Sequence, residues 1–356
     1  MRLLVLQLKR IGDAILTAPA LGALRAQLPD AHISLALAGP AAGLARAFPM
    51  VNETLTYASG RAARHCWKQA LFGKFDAVLD FTGSDRSAAL TLLSRAPVRA
   101  GYMKDAKNWM RRRAYNHLSD ASVRELHTID LHHALVAVAL KALGKEPAGE
   151  MADAGNLTIP PDLAPPALPS PYIVVHPGTA REEKYWPAER WVDVIRHLQD
   201  VHQIPVVLTG ATDPMEKKHL AEIQSGVTVL ENFAGQLSLL ELASVIQHAR
   251  LVLGVDSAAM HLAAAFKRPQ IALFGPTNPF HWRPRHDRAV LLLAGTTESG
   301  PLTPRHAKFP MNQLPSAWVT QAADSLLSSP EIDSSLASPI GNPAANAHHP
   351  PRSLPL

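Results

Sequence analysis

Through the first 143 residues, short apolar runs alternate with stretches in which apolar residues recur every three or four positions. The runs Leu3–Leu8, Ile33–Leu37, Ala77–Asp80 and Val98–Gly101 predict strands. Between them the longer period predicts helices over Ala14–Gln27, Arg61–Leu71, Arg86–Ser94 and Val123–Leu143. Parallel strands need long crossovers, and helices supply them. The expected result is a parallel sheet with helices on both faces.

The periodicity stops between Glu146 and Pro171, where prolines gather near Gly144, Gly149 and Gly155 in a linker composition. It restarts with strands over Tyr172–Val175, Pro205–Thr209, Val227–Leu230, Leu251–Val255 and Gln270–Phe274. The helices expected there are Ala188–Val201, Pro214–Ile223, Leu239–His248, Ser257–Phe266 and Ser316–Leu327. The chain therefore reads as a doubly wound α/β domain over 1–150, a linker over 151–170, a second such domain over 171–328 and a disordered tail over 329–356. Two such domains facing each other would set a cleft at the carboxyl ends of both sheets. Open α/β sheets bind ligands there, so the chemistry is expected in loops that follow strands.

Composition adds limits. Of 356 residues, 47% are apolar and 18% charged, which excludes a disordered or fibrous chain. A lone cysteine, Cys66, excludes an intrachain disulfide and a cysteine-based zinc site. The longest uncharged stretch, between Asp162 and Arg181, is interrupted by Pro165, Pro166, Pro169, Pro171 and Pro177, so no bilayer-spanning helix is expected. Lys9 and Arg10 cut the leading apolar run too short for a signal peptide, and a soluble cytoplasmic protein is the expectation.

Charge is unevenly spread. Residues 1–150 carry 20 Lys and Arg against 12 Asp and Glu, while residues 151–356 carry 15 against 18. A basic first half is suited to an anionic partner. The stretch Arg95–Arg113 holds Arg95, Arg99, Lys104, Lys107, Arg111, Arg112 and Arg113 against Asp105 alone, and Arg61, Arg64 and Lys68 form a second cluster. Either cluster serves as a solvated face or as an anion-binding surface. No nucleic-acid recognition motif accompanies them.

Three loops carry candidate chemistry. In RIGDAILTAPAL, Asp13 follows a strand and a glycine and opens a helix. It fits a helix N-cap, and equally a carboxylate placed to accept a proton. In HPGTAREEKYWP, Gly178 permits a tight turn, Thr179 offers a hydroxyl and Lys184 a point charge, which together could hold phosphates or form a plain polar surface loop. In GVDSAAMHLAAA, the small residues Ser257 and Ala258 leave the first amides of a helix open to an anion. Asp256 there is either the N-cap or a ligand for neutral hydroxyls, since a carboxylate repels phosphate. His261 sits one turn further on, where a buried helix residue is the plainer reading.

No G-x-G-x-x-G, P-loop, G-x-S-x-G or H-E-x-x-H motif occurs, which argues against dehydrogenases, P-loop NTPases, α/β-hydrolases and zincins. No D-x-D pair occurs to hold a divalent ion on a diphosphate. No metal or cofactor is expected.

These loops, with DFTGSDRSAAL, FAGQLSLLELASVI and ALFGPTNPFHWRP, resemble the bacterial ADP-heptose:lipopolysaccharide heptosyltransferases from Met1 to about Leu327. The wording of the last motifs is most similar to the third core heptosyltransferase. The resemblance implies a GT-B fold of two Rossmann-like domains, with the acceptor on the first and ADP-heptose on the second. It implies an inverting, metal-independent transfer in the cytoplasm to an anionic lipopolysaccharide core presented at the inner membrane. By matching position, Asp13 would be the general base, Thr179 and Lys184 would hold the diphosphate, and Asp256 would bind heptose hydroxyls. Ser257 and Ala258 would cradle phosphate with His261 close by. The family's acid that meets adenosine is replaced by Pro214 in GATDPME, which leaves Asp213 or Glu216 for that role. The acceptor would meet Arg61, Arg64, Lys68, Arg111, Arg112 and Arg113. Another GT-B transferase, a nucleotide-sugar epimerase and a catalytically silent carbohydrate-binding protein remain as rivals.

Overall fold

The computed structural model describes residues 1–147, 157–163, 168, 170–227, 231–295, 302–304 and 308–328. The chain forms two units, Met1–Asp162 and Leu163–Leu356. Most of the expected linker 151–170 and all of the expected tail 329–356 lie outside the described residues.

The first unit is a parallel six-stranded sheet with its helices in the crossovers. In chain order its elements are β1 (Arg2–Gln7), α1 (Ile11–Ile15), α2 (Ala18–Gln27), β2 (His32–Ala38), β3 (Glu53–Tyr57) and α3 (Arg61–Phe72). There follow β4 (Ala77–Asp80), α4 (Asp85–Leu93), β5 (Val98–Tyr102), α5 (Trp109–Ala114), β6 (His117–Ser119) and α6 (Thr128–Ala142). The strand order is β3-β2-β1-β4-β5-β6. Leu3 to Leu6 are all at most 1% exposed, so β1 is covered on both faces as a central parallel strand must be.

The second unit repeats the plan with β7 (Ile173–His176), α7 (Ala188–His202), β8 (Val206–Leu208), α8 (Pro214–Ser225), β9 (Glu231–Asn232) and α9 (Leu239–His248). It continues with β10 (Leu251–Val255), α10 (Ala258–Ala265), β11 (Gln270–Phe274), α11 (Pro279–Trp282), β12 (Ala289–Leu293) and α12 (Ser316–Ser328). Its order, β12-β11-β10-β7-β8-β9, is the same doubly wound order as in the first sheet. Trp186 and Trp191, both fully buried with rings 4.8 Å apart edge to face, anchor the core beside Ile195, Leu253 and Ala323. Burial of such side chains stabilises by about 1.5–3 kcal/mol each.

Several expectations need correction. The helix expected over Ala14–Gln27 is two helices, because Pro19 near the start of α2 has no N–H to continue the ladder and its ring opposes the preceding turn. Thr17 marks the break: its hydroxyl donates to the Asp13 carbonyl at 2.8 Å. The helix expected from Val123 begins at Thr128, where the His127 ring nitrogen accepts from the Ile129 amide. Strands β3, β6 and β12 were not anticipated. β6 has three residues and β3, Glu-Thr-Leu-Thr-Tyr, mixes polar with apolar positions, so their apolar signal is weak. β12, by contrast, is the apolar run Ala-Val-Leu-Leu-Leu, and only its pairing with β11 assigns it to the sheet edge. The strand expected at Val227–Leu230 lies, from residue 228 on, outside the described residues.

Candidate active site

In each sheet the crossover direction reverses between two central strands, β1 and β4 in the first and β7 and β10 in the second. Loops leaving such a pair open a crevice at their carboxyl ends.

In the first unit, Asp13 lies on α1, half-buried. It is not the N-cap. Arg10 holds that position without a side-chain bond, and Asp13 stands in the first turn with no hydrogen bond to its carboxylate among the described residues. The far end of α1 is tied down. Gln7 donates to the Thr17 hydroxyl at 2.8 Å, and the His132 Nδ1 lies 3.2 Å from the Leu16 carbonyl. A carbonyl only accepts, so the Nδ1 carries the proton. Burial, with Lys9 nearby, pushes the His132 imidazole down to about 3, so it stays neutral.

Beside this, the Lys9 ammonium donates to the Phe81 carbonyl at 3.2 Å, and the Thr82 hydroxyl accepts from the Leu8 amide at 2.8 Å. Asp80 is wholly buried. Its carboxylate accepts from the Thr82 and Gly83 amides and from the Tyr115 hydroxyl. Burial nevertheless raises its pKa, against those hydrogen bonds. This network fixes the loop after β4 against the loop after β1. In the sequence Asp80 is only the last residue of an apolar run, and its partner Tyr115 is 35 residues away.

The cationic clusters differ from each other. Arg61, Arg64 and Lys68 lie exposed along α3 at three- and four-residue spacings, which places them on one helix face. Arg111 instead bonds Asp85 at 2.5 Å and the Gly83 carbonyl at 3.1 Å. Arg113 stacks over Trp109 at 5.5 Å, and Arg112 is exposed. Asp105 is thus not the sole anion near this stretch, because the fold brings Asp85 to it from α4. Arg99 is spent on the Ala96 and Ala114 carbonyls.

In the second unit the structure brings the two expected loops together. Gly254 pairs with His176 across β10 and β7, and a Cβ on Gly254 would stand 2.8 Å from the His176 carbonyl. At this close approach Lys184 reaches Asp256, with Nζ to Oδ2 at 2.6 Å. The side chains are only 12% and 10% exposed. Asp256 is therefore not the N-cap. Ser257 is, yet it makes no capping bond, and its buried hydroxyl has no partner. Ala258 opens α10 with no side chain over the first-turn amides, and His261 is buried one turn on. Thr179 is half-buried, and its carbonyl accepts from the Tyr185 hydroxyl at 3.0 Å, which pins the loop around Lys184.

Glu216, from α8, lies beneath these loops. Its Oε1 accepts from the Ala211 amide at 2.7 Å, and a Cβ on Gly178 would stand 1.7 Å from that oxygen. Burial raises the Glu216 pKa. Asp213 caps α8 by accepting from the Met215 amide. His176 contacts the Thr209 hydroxyl at 2.9 Å, and burial pushes its pKa down to about 4. Sequence reasoning missed His176 because a strand-end histidine carries no periodic signal.

The profile of glycosyltransferase family 9 (heptosyltransferase) matches residues 64–309. The chain belongs to this family. The chain is 27% identical to lipopolysaccharide heptosyltransferase 3 of Escherichia coli, over 91% of its own length and 99% of that protein. Among solved structures, E. coli ADP-heptose lps heptosyltransferase II superposes with a TM-score of 0.74 at 21% identity, covering 92% of this chain and 98% of that one. E. coli heptosyltransferase WaaC with ADP superposes with a TM-score of 0.73 at 24% identity, covering 92% and 100%. The family 9 enzyme thus has the GT-B fold class, and it is a glycosyltransferase. Among its described residues, no helix is long and apolar enough to cross a membrane. The one described group of three side chains able to hold a metal, His197, His202 and Asp324, is separate from the Lys184–Asp256 loops.

Proposed function

We propose that this glycosyltransferase moves heptose from ADP-heptose to the lipopolysaccharide inner core, with inversion and without metal. The observation that carries the reading is the Lys184–Asp256 pair beside the uncapped start of α10. Cation and amides suit a diphosphate, and the carboxylate suits sugar hydroxyls. Thr179 adds a hydroxyl to the diphosphate side, His261 backs the α10 start, and Glu216 or Asp213 is assigned to the adenosine by the family resemblance.

The acceptor hydroxyl attacks the anomeric carbon, and the bond from that carbon to the ADP oxygen breaks. Asp13, unpaired on α1, takes the hydroxyl proton. Lys184 and the amides of Ser257 and Ala258 meet the charge that develops on departing ADP. These groups take the place of a metal on the diphosphate. Arg61, Arg64, Lys68, Arg112 and Arg113, with Arg111 held by Asp85, attract the anionic core and the anionic cytoplasmic face of the inner membrane.

The test incubates the protein with ADP-heptose and a panel of truncated lipopolysaccharides, with and without EDTA, and reads added mass. One heptose added to a single core type in both conditions is expected. Turnover of ADP-heptose without any acceptor would point to an epimerase. Loss of transfer in EDTA, restored by magnesium or manganese, would overturn the metal-free mechanism.

A further inference from the structure

We propose that His197, His202 and Asp324 form a binding site for a zinc-class divalent ion, which clips α12 to α7. The two histidines stand near the carboxyl end of α7, and the aspartate comes from α12, more than 120 residues later in sequence. The Nε2 atoms of His197 and His202 lie 2.8 and 2.7 Å from the same Oδ1 of Asp324. One ligand atom from each residue falls within 4.8 Å of the others.

This convergence is what a tetrahedral ion requires. With metal–nitrogen and metal–oxygen bonds of about 2.0–2.2 Å, neighbouring ligand atoms stand about 3.3 Å apart. Each nitrogen–oxygen separation therefore needs to open by about 0.5 Å. The two nitrogens, within 4.8 Å of each other, need to close toward the same spacing, by up to about 1.5 Å. Two imidazoles and one carboxylate favour a first-row transition ion such as zinc, cobalt, nickel, copper or iron. Magnesium and calcium take shells of oxygen. On binding, each Nε2 gives up its proton, to Nδ1 or to solvent, and the freed Nε2 lone pair ligates. Asp324 is 44% exposed, so water can take the fourth position.

The site has no part in transfer. α7 leaves the carboxyl edge of the sheet after the Lys184 loop and ends at His202, four residues before β8 starts at Val206. The cluster therefore stands toward the amino edge, at the other end of the crossover from Lys184 and Asp256. What the ion holds is α12, the last described helix, against the helix that covers the core of the unit.

The experiment uses the untagged full chain, stripped with chelator, with His348 and His349 replaced by alanine to remove the paired tail histidines. Zinc is titrated by calorimetry and cobalt by visible absorption. Expected are one equivalent of zinc, cobalt bands of a tetrahedral site, and a thermal midpoint raised by zinc. His202→Ala and the near-isosteric Asp324→Asn, both checked for native circular dichroism, should bind at least about 10–100-fold more weakly and lose the zinc-dependent rise. Equal binding by either folded variant, or no zinc bound by the parent chain, would leave a plain hydrogen-bonded His–Asp–His clasp and overturn the proposal.

Discussion

Lys184 and Asp256, 72 residues apart in the chain, meet at 2.6 Å because β7 and β10 are neighbours in the second sheet. Each neutralises the other at a site where both are about nine-tenths covered. Removing either leaves a largely buried charge, a loss on the order of 3 kcal/mol for such pairs. Lys184→Met and Asp256→Asn should each lower the thermal midpoint. In the double variant the losses should be clearly less than additive. Both single variants should also lose transfer far beyond their loss of fold, since both groups are assigned to the donor. Additive midpoint shifts in the double-mutant cycle would show that the pair is not coupled.

Asp13 makes no capping bond, so its replacement tests chemistry with little structural cost. Asp13→Asn should lower kcat by about 10² or more, since general-base assistance contributes about 10²–10⁴-fold. ADP-heptose affinity and thermal midpoint should stay near wild type. A kcat within a few-fold of wild type would remove Asp13 from the mechanism.

Arg111 differs from its neighbours because Asp85 and the Gly83 carbonyl hold it. Arg112→Ala with Arg113→Ala should raise KM for the anionic acceptor while the KM for ADP-heptose stays put. The effect should shrink with added salt, as exposed charges are screened over about 8–10 Å. Adding Arg111→Ala should increase the acceptor effect less than either of the other two. An acceptor KM unchanged at low salt would return Arg112 and Arg113 to a solvated face and leave Arg111 with its bonds to Asp85 and the Gly83 carbonyl alone.

Buried imidazoles make the fold less stable in acid. Burial holds His132 at about 3, His176 at about 4 and His286 at about 4. In the unfolded chain they protonate near 6.5, so below that pH the unfolded state binds more protons. Their contribution is complete above about pH 6.5 and is lost on acidification toward their folded values, by roughly 1.4 kcal/mol per unit and histidine. His176→Gln should flatten the fall of urea-unfolding free energy between about pH 6 and 4.5. A slope identical to wild type would contradict a neutral His176.

Glu216 acts in the opposite sense. Its pKa is raised by burial, so its favourable contribution is present below the ordinary carboxylate range and is lost as pH rises through its folded value. Glu216→Gln keeps an oxygen for the Ala211 amide and carries no charge. The variant should therefore gain stability relative to wild type as pH rises from about 4 toward neutrality. Gly178→Ala should destabilise at every pH, because the new Cβ would sit 1.7 Å from Glu216 Oε1. Thermal melts of both variants across that pH range check the pair.

Much of this was legible along the chain. Leu3–Leu6 and Leu251–Val255 are continuous apolar runs, which is how a parallel strand covered on both faces must read. Asp13, Lys184 and Asp256 follow apolar strands, Asp13 in the first turn of α1 and the other two in loops. Their place after strands thus came from local pattern, and their assigned roles from resemblance to a family. Local pattern also left two readings open. Asp13 and Asp256 both looked like N-caps, and only backbone geometry gave those positions to Arg10 and Ser257.

The sequence by itself determined that the chain builds two doubly wound α/β units, because apolar periodicity is a local property that each segment carries with it. Tertiary structure alone decided which charges meet. Lys184 with Asp256, Arg111 with Asp85 and the two α7 histidines with Asp324 are separated by 26 to 127 residues. Their pairing depends on strand order and helix packing, and no periodicity along one segment encodes either.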